Sequence, residues 1–334
     1  MIANAALAAG WFKGLECQVF GAGHINDTYV VRDAAGVRFV LQRINPRVFR
    51  DPSLVLRNVV RIVEYLGVKA PGFVAALVPS RGDEPGLHTA DGEFWRLWRY
   101  VENTRVCPVV KTLQMARAAG AAFGRFQQLM AGMPGDPLAP VIPGFLELQA
   151  YLTHFDDVVL AHGVTSAETP CSEFIAARRD LTRYFPPGEC YIHGDCKLNN
   201  LLFNQTREEV VCVVDLDTVM RGHWAWDFGD LARSALSETT IDEVAVFAAL
   251  AGGFLATSRV GASVEELVMA PRYVAFMLGV RFLSDHLAGD EYFKVEHRGD
   301  NLLRARQQFT LVELLESLEE KLQRVAAPLV AQAG

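Results

Sequence analysis

The stretch Tyr191-Ile192-His193-Gly194-Asp195-Cys196-Lys197-Leu198-Asn199-Asn200-Leu201-Leu202, followed by Val213-Val214-Asp215-Leu216-Asp217, is the densest polar cluster in an otherwise apolar part of the chain. Asp195 and Asn200 stand five apart across a tight loop, and Asp215 ends an apolar strand. This spacing can place one carboxylate as a base and an oxygen pair around Mg2+, which is most of what phosphoryl transfer asks of a protein. On a continued strand Asp217 would share the face of Asp215 and add a second or water-bridged metal contact.

Short strands at 190–193, 200–203 and 210–215 enclose this loop. Around them, apolar periodicity predicts helices over 111–130, 145–160, 172–184, 228–237, 241–256, 263–287 and 302–325. The first hundred residues are different: strand patterns cover 17–20, 28–31, 38–44, 73–78 and 94–100, with a crossing strand over 101–104. One helix interrupts them, capped by Asp51, with Pro52 in its first turn and a stop at Gly67. The prediction is a small α+β lobe over 1–103 and a larger, mainly helical lobe over 104–334.

A chain of 334 residues exceeds what one compact core usually organises, which fits two lobes. With 51% hydrophobic and 21% charged residues, global disorder is excluded. Lys+Arg 32 against Asp+Glu 39 gives a net charge of −7, so no nucleic-acid partner is expected. Lysine is scarce (13, 69, 111, 197, 294 and 321), which leaves arginine most of the cationic work. The six cysteines form no C-x-x-C pair, pointing to reduced thiols and a cytoplasmic location. The opening residues lack a basic n-region, and Val244 to Ala256, the longest uncharged apolar stretch, is too short to span a bilayer. No membrane partner is expected.

H-G-D-x-x-x-x-N at 193–200, followed by apolar-apolar-D-x-D at 213–217, resembles the aminoglycoside phosphotransferase and choline kinase group of protein-kinase-like folds. The resemblance implies a bilobal α+β fold that uses ATP and Mg2+. It implies that Asp195 orients or deprotonates the acceptor hydroxyl, that Asn200 and Asp215 hold Mg2+ on the nucleotide, and that His193 supports the loop. Lys197 either touches the γ-phosphate or is solvated. Asp227-Phe228-Gly229 spells the kinase D-F-G letters, but Asp215 already holds the strand-end position. Standing before a helical run, Asp227 is expected to cap free N–H groups and brace the catalytic loop.

Phe20-Gly21-Ala22-Gly23-His24-Ile25-Asn26-Asp27-Thr28 would be the strand-turn-strand over the nucleotide phosphates, its glycines allowing close backbone approach. A plain hairpin turn is the alternative. Such a lobe puts a lysine on its third strand, yet Val37-Arg38-Phe39-Val40-Leu41-Gln42-Arg43-Ile44 has none. Arg43 is favoured because phosphate needs a cation, and Gln42 on the other strand face is the alternative. Asn58 or Arg57 would replace the helical partner, since Glu64 comes late in its helix. Tyr100, Val101 and Glu102 would form the hinge that holds the adenine.

Three further stretches, Phe39 to Asn45, Val214 to Met220 and Arg281 to Phe293, look closer to the N-acetylhexosamine 1-kinases. That likeness implies a sugar acceptor between Asp195 and the C-terminal helices, with Arg281 and Tyr292 on its hydroxyl or acetamide groups and His24 reaching it from above. A salt bridge from Arg281 to Asp285 is the alternative. Trp224, Trp226 and Phe228 could stack on a sugar face, with a core role expected for at least two of them. The rival readings are a kinase for an amino alcohol, aminoglycoside or homoserine-like acceptor, a nucleotide-binding pseudokinase, and a metal hydrolase built on His193, Asp195, Asp215 and Asp217.

Overall fold

The computed structural model describes residues 2–13, 16–20 and 25–333. The chain opens with α1 (Ile2–Gly10) and runs through β1 (Glu16–Val19), β2 (Asp27–Arg32) and β3 (Arg38–Arg43). It crosses over α2 (Pro52–Lys69) and returns through β4 (Leu77–Val78), β5 (Leu87–His88) and β6 (Phe94–Arg99). Among the described residues these strands make a six-stranded antiparallel sheet, in the order β1-β2-β3-β6-β4, with β5 also paired to β6.

The register decides which side chains can meet. Thr28 lies opposite Gln42 across β2 and β3, and Gln42 lies opposite Arg96 across β3 and β6. Alternation puts Thr28, Gln42, Arg96 and Trp98 on one face of the sheet and Arg43 on the other. That other face is closed by α1, whose Ala3, Ala6 and Leu7 join Trp11 on Val31, Phe39, Leu41, Trp95 and Leu97. Nothing in the sequence pattern predicts α1.

Asp51 caps α2, accepting from the Leu54 N–H at 2.9 Å. The helix runs through Gly67 to Lys69 and stops at Ala70, where φ is −148°. The following Pro71 disfavours helical backbone in the residue before it and overrides the glycine as the stop.

Beyond β6 come β7 (Thr104–Val106), α3 (Leu113–Met130), α4 (Leu148–His162), α5 (Thr169–Ala176), β8 (Cys190–Ile192), β9 (Leu201–Asn204), β10 (Val210–Val213), β11 (Met220–Gly222) and α6 (Trp224–Leu236). They are followed by α7 (Glu243–Ser258), α8 (Val264–Ala288), α9 (Asp300–Ser317) and α10 (Glu319–Ala333). The molecule is bilobal α+β, with a sheet-rich N-terminal region and a helical C-terminal region. Two small sheets, β10-β9-β7 and β11-β8, frame the segment from His193 to Val219.

The single helix predicted over 302–325 is two, parted at Leu318, and the break lets Leu322 and Ala326 of α10 be buried. α8 is long and apolar enough to cross a bilayer by length and composition, but 78% of its most apolar window is buried within the protein. Ser263 and Glu266 form a capping box at its start.

Candidate active site

The catalytic-type loop leaves β8 at His193, whose ring is buried edge-on between Phe123 and Phe126 at 5.4 and 5.3 Å. Its Nε2 lies 3.0 Å from the Val214 carbonyl, and its Nδ1 accepts from the Asp195 N–H at 3.3 Å. A proton on Nε2 satisfies both contacts. His193 therefore ties the loop to the segment between β10 and Asp215, and neither ring nitrogen is left for a metal.

Asp227 is 1% exposed and accepts from the His193 and Gly194 N–H groups at 2.8 and 2.9 Å, and from Gln127 Nε2 at 2.8 Å. It braces the loop as expected, but it does not cap its own helix. His223 does that, accepting from the Ala225 N–H at 3.2 Å. Burial pushes the Asp227 carboxyl up, with His193 and the three donors opposing.

Asp195 and Asn200 meet across a 3₁₀ turn over Leu198–Asn200. Asn200 Nδ2 donates to the Asp195 backbone carbonyl at 2.7 Å and to its Oδ2 at 3.0 Å, while Lys197 Nζ lies 2.9 Å from Asp195 Oδ1. Burial raises the Asp195 carboxyl, but Lys197, His193 and Asn200 outweigh it and hold the group below the usual carboxylate range. Lys197 is pulled down by burial and held up, on balance, by Asp195, Asp230 and Asp215.

Asp215 has φ +65° and ψ +61°, a left-handed backbone uncommon outside glycine, and a 3₁₀ turn over Leu216–Thr218 follows it. β10 has already ended at Val213, so Asp215 and Asp217 do not share a strand face. Asp217 is not free to hold the metal, because both of its oxygens are taken. Its Oδ1 and Oδ2 accept from Arg96 Nη1 and Nη2 at 2.6 and 2.9 Å, and Oδ2 also accepts from Asn26 Nδ2 at 2.9 Å. With His193 and Asp217 both committed elsewhere, the metal-hydrolase reading loses two of its four residues.

Among the described residues no three His, Cys, Asp or Glu side chains converge as a metal cage. Mg2+ on a nucleotide needs none, because one or two protein oxygens suffice when phosphates and water complete the shell. The Asp215 carboxylate and Asn200 Oδ1 have no donor among the described residues, and both are oxygen ligands of that kind. Desolvation by the packed loop around it, although Asp215 itself keeps an exposed side, and then the charges of Asp217 and Asp195 push its carboxyl up to about 7 against Lys197 and Arg96. The pocket is short of positive charge, so these residues fit a divalent cation.

On the nucleotide side, Gly21, Gly23 and His24 lie outside the described residues. Arg43 does not face the cleft. It pairs with Asp27 and Glu93 on the α1 face of the sheet and lies over the Trp95 ring. Gln42 is the cleft-facing residue: its Oε1 accepts from Trp98 Nε1 at 2.8 Å and Arg96 Nε at 3.1 Å, and its Nε2 donates to Thr28 Oγ1 at 3.2 Å. The cation on that face is Arg96, to which the strand pattern alone gives no role. Its signal was an arginine inside Phe94-Trp95-Arg96-Leu97-Trp98, a strand buried on both faces.

Neither Asn58, on the Ala139 carbonyl at 2.8 Å, nor Arg57, 3.6 Å from Asp51, pairs with this strand. At the hinge, Arg38 pairs with Glu102 and lies over the Tyr100 ring at 4.0 Å.

On the acceptor side, Arg281 has no carboxylate partner among the described residues. Asp285 instead accepts from the N–H groups of Glu291, Tyr292 and Phe293 at 2.9, 2.8 and 2.9 Å, and from Asn301 Nδ2 at 2.9 Å. The Arg281 guanidinium is ringed by Tyr151, Phe293, Phe145 and Tyr292 at 4.9, 5.3, 5.4 and 5.5 Å. Desolvation raises the Tyr292 phenol, although the residue is 37% exposed, and Arg281 opposes the shift. Trp224, Trp226 and Phe228 are all buried in the core.

Residues 16–266 match the phosphotransferase enzyme family, known as APH. The fold is similar to a microcompartment-associated aminopropanol kinase, with a TM-score of 0.70 and 15% identity over 97% of this chain and 99% of that one. It is similar to an amicoumacin kinase bound to AMP-PNP and Ca2+, at 0.67 and 14% over 94% and 92%. It is also similar to an aminoglycoside phosphotransferase from Alicyclobacillus acidocaldarius, at 0.62 and 16% over 100% and 96%. At such identities these likenesses speak for the fold alone. The family match spans most of the chain and includes the braced Asp195 loop and the Asp215 turn, and on that ground this chain belongs to the phosphotransferase enzyme family.

Proposed function

We propose that this chain is an ATP-dependent, Mg2+-requiring kinase that phosphorylates the anomeric hydroxyl of an N-acetylhexosamine. The observation that carries the acceptor class is Arg281, which has no carboxylate partner among the described residues and lies inside four aromatic rings. Aromatic faces suit the apolar face of a sugar, and the guanidinium donors suit hydroxyl and acetamide oxygens. An amino alcohol or aminoglycoside acceptor brings a positive charge that Arg281 would repel.

In this reading Asp195 orients the acceptor hydroxyl and receives its proton, its two oxygens set by Lys197 and Asn200. Asn200 and Asp215 would hold Mg2+, which supplies neutralisation of phosphate charge when bound. Lys197 offers a cation next to the reacting hydroxyl, and Thr28 and Gln42 line the nucleotide side. Tyr100 and Glu102 fix the hinge through Arg38. The absent third-strand lysine motivates the pseudokinase alternative, against which stands the complete Asp195, Asn200 and Asp215 set. All six cysteines are unpaired, which supports a cytoplasmic location.

The test is Arg281→Met assayed with Mg-ATP and N-acetylglucosamine or N-acetylgalactosamine. The acceptor KM is expected to rise about tenfold or more with the ATP KM unchanged, as for loss of a charge-assisted contact. An unchanged acceptor KM removes Arg281 from the acceptor site.

A further inference from the structure

Asp217 is where three parts of the chain meet. Besides Arg96 of β6 it holds Asn26, whose Oδ1 accepts from the Asn45 N–H at 3.1 Å, and Asn45 Nδ2 donates to the Ile25 carbonyl at 3.2 Å. The entry to β2, the exit from β3 and the middle of β6 therefore hang on one carboxylate of the 216–218 turn. The Arg96 and Asp217 side chains are 1% and 2% exposed. A pair buried so deeply persists only when fully hydrogen-bonded, as this one is.

Protein kinases anchor their strand cation to a carboxylate on a helix of the same lobe. Here α2 offers no such carboxylate to Arg96, because Asn58 bonds the Ala139 carbonyl and Glu64 is exposed. The carboxylate comes from the other lobe, two residues beyond Asp215.

We propose that the Arg96–Asp217 pair is an inter-lobe latch, in which Arg96 is a positioning residue that holds the Asp215 turn against the nucleotide-facing strands. The inference rests on the phosphotransferase reading above. Arg96 acts through Asp217 on a left-handed Asp215, a conformation that a non-glycine residue keeps only where its surroundings over-determine it. Through Asn26 the same carboxylate fixes the start of β2, so the two sides of the nucleotide cleft move together.

Removing Arg96 alone strands a buried carboxylate and can unfold the protein. The pair is therefore removed together, as Arg96→Met with Asp217→Asn, alongside Arg96→Lys, which keeps the charge but loses the fork. Two readouts are needed: steady-state kinetics with Mg-ATP, and hydrogen exchange over 210–220 in the nucleotide-free protein. The double variant is expected to lose about tenfold or more in kcat/KM for ATP with the acceptor KM unchanged. Its amides over 214–219 should exchange faster while the helical core keeps wild-type protection, and Arg96→Lys should fall between.

Wild-type kinetics and exchange in the double variant overturn the latch, as does loosening spread over the whole chain with an equal rise in acceptor KM. If the double variant does not fold, wild-type behaviour of Arg96→Lys overturns it. A wild-type protein that turns over ATP with no acceptor removes the phosphotransferase reading instead, and the exchange pattern still decides the latch.

Discussion

Gly194 shows how little freedom the catalytic-type loop has. Its φ is +79°, and an added Cβ would lie 2.7 Å from the Thr218 carbonyl oxygen. Gly194→Ala should therefore destabilise the protein by about 1–3 kcal/mol, read as a lower urea midpoint, and should lower kcat by displacing Asp195. Arg43 makes the opposite case. Its partners lie on the far face of the sheet, so Arg43→Gln should leave the ATP KM within about threefold of wild type while lowering the melting temperature. Alternation along β3 separates Arg43 from Gln42 but cannot say which face meets the cleft, because that depends on where α1 packs. Asp195, Asn200 and Asp215 are legible because their spacing is local. Arg96 and Asp217 are 121 residues apart, and neither has a local pattern that announces the other.

Among the elements, the helices of the C-terminal region are legible as long apolar runs bounded by caps, although α7 and α8 are buried nearly all round rather than along one stripe. α1 is not legible in the sequence because its alanine-rich run has no strong polar face and is fixed only by the sheet it covers. α3 and α7 cross so closely that a Cβ at Gly253 would lie 2.0 Å from the Arg117 carbonyl oxygen. Gly253→Ala should cost about 1–3 kcal/mol with an unchanged denaturant m-value, since the strain is confined to the folded state.

Glu316 ties three segments, pairing with Arg178 at 2.9 Å and Arg272 at 2.6 Å. The Arg178 hydrogen bond outweighs burial and, with Arg272, holds its carboxyl below the usual glutamate range. A depressed folded-state pKa stabilises above the unfolded value, and that stabilisation is lost as pH falls through the folded value. The stability gap between wild type and Glu316→Gln should thus be full near neutrality and close in acid, below the ordinary glutamate range. A constant gap across that window in thermal melts would contradict the pairing.

At the scale of the whole molecule, the two-lobe division follows from where strand patterns give way to helical ones. What no local pattern contains is the joining of the lobes, made here by a shared apolar core under α2, by Asp217 with Arg96 and Asn26, and by Lys294 with Asp27 at 3.3 Å. The acceptor end is equally non-local, since Arg281 takes its rings from α4, the loop before it and the segment after α8. Acceptor-dependent ADP release from Mg-ATP, with the position of the phosphate read by NMR, decides between the acceptor classes. The panel holds N-acetylglucosamine, N-acetylgalactosamine, plain hexoses, choline, homoserine and an aminoglycoside. The expected result is ADP with phosphate on the anomeric oxygen of an N-acetylhexosamine; ADP formed instead with an amino alcohol or aminoglycoside, or no acceptor-dependent ADP at all, would contradict the proposed function.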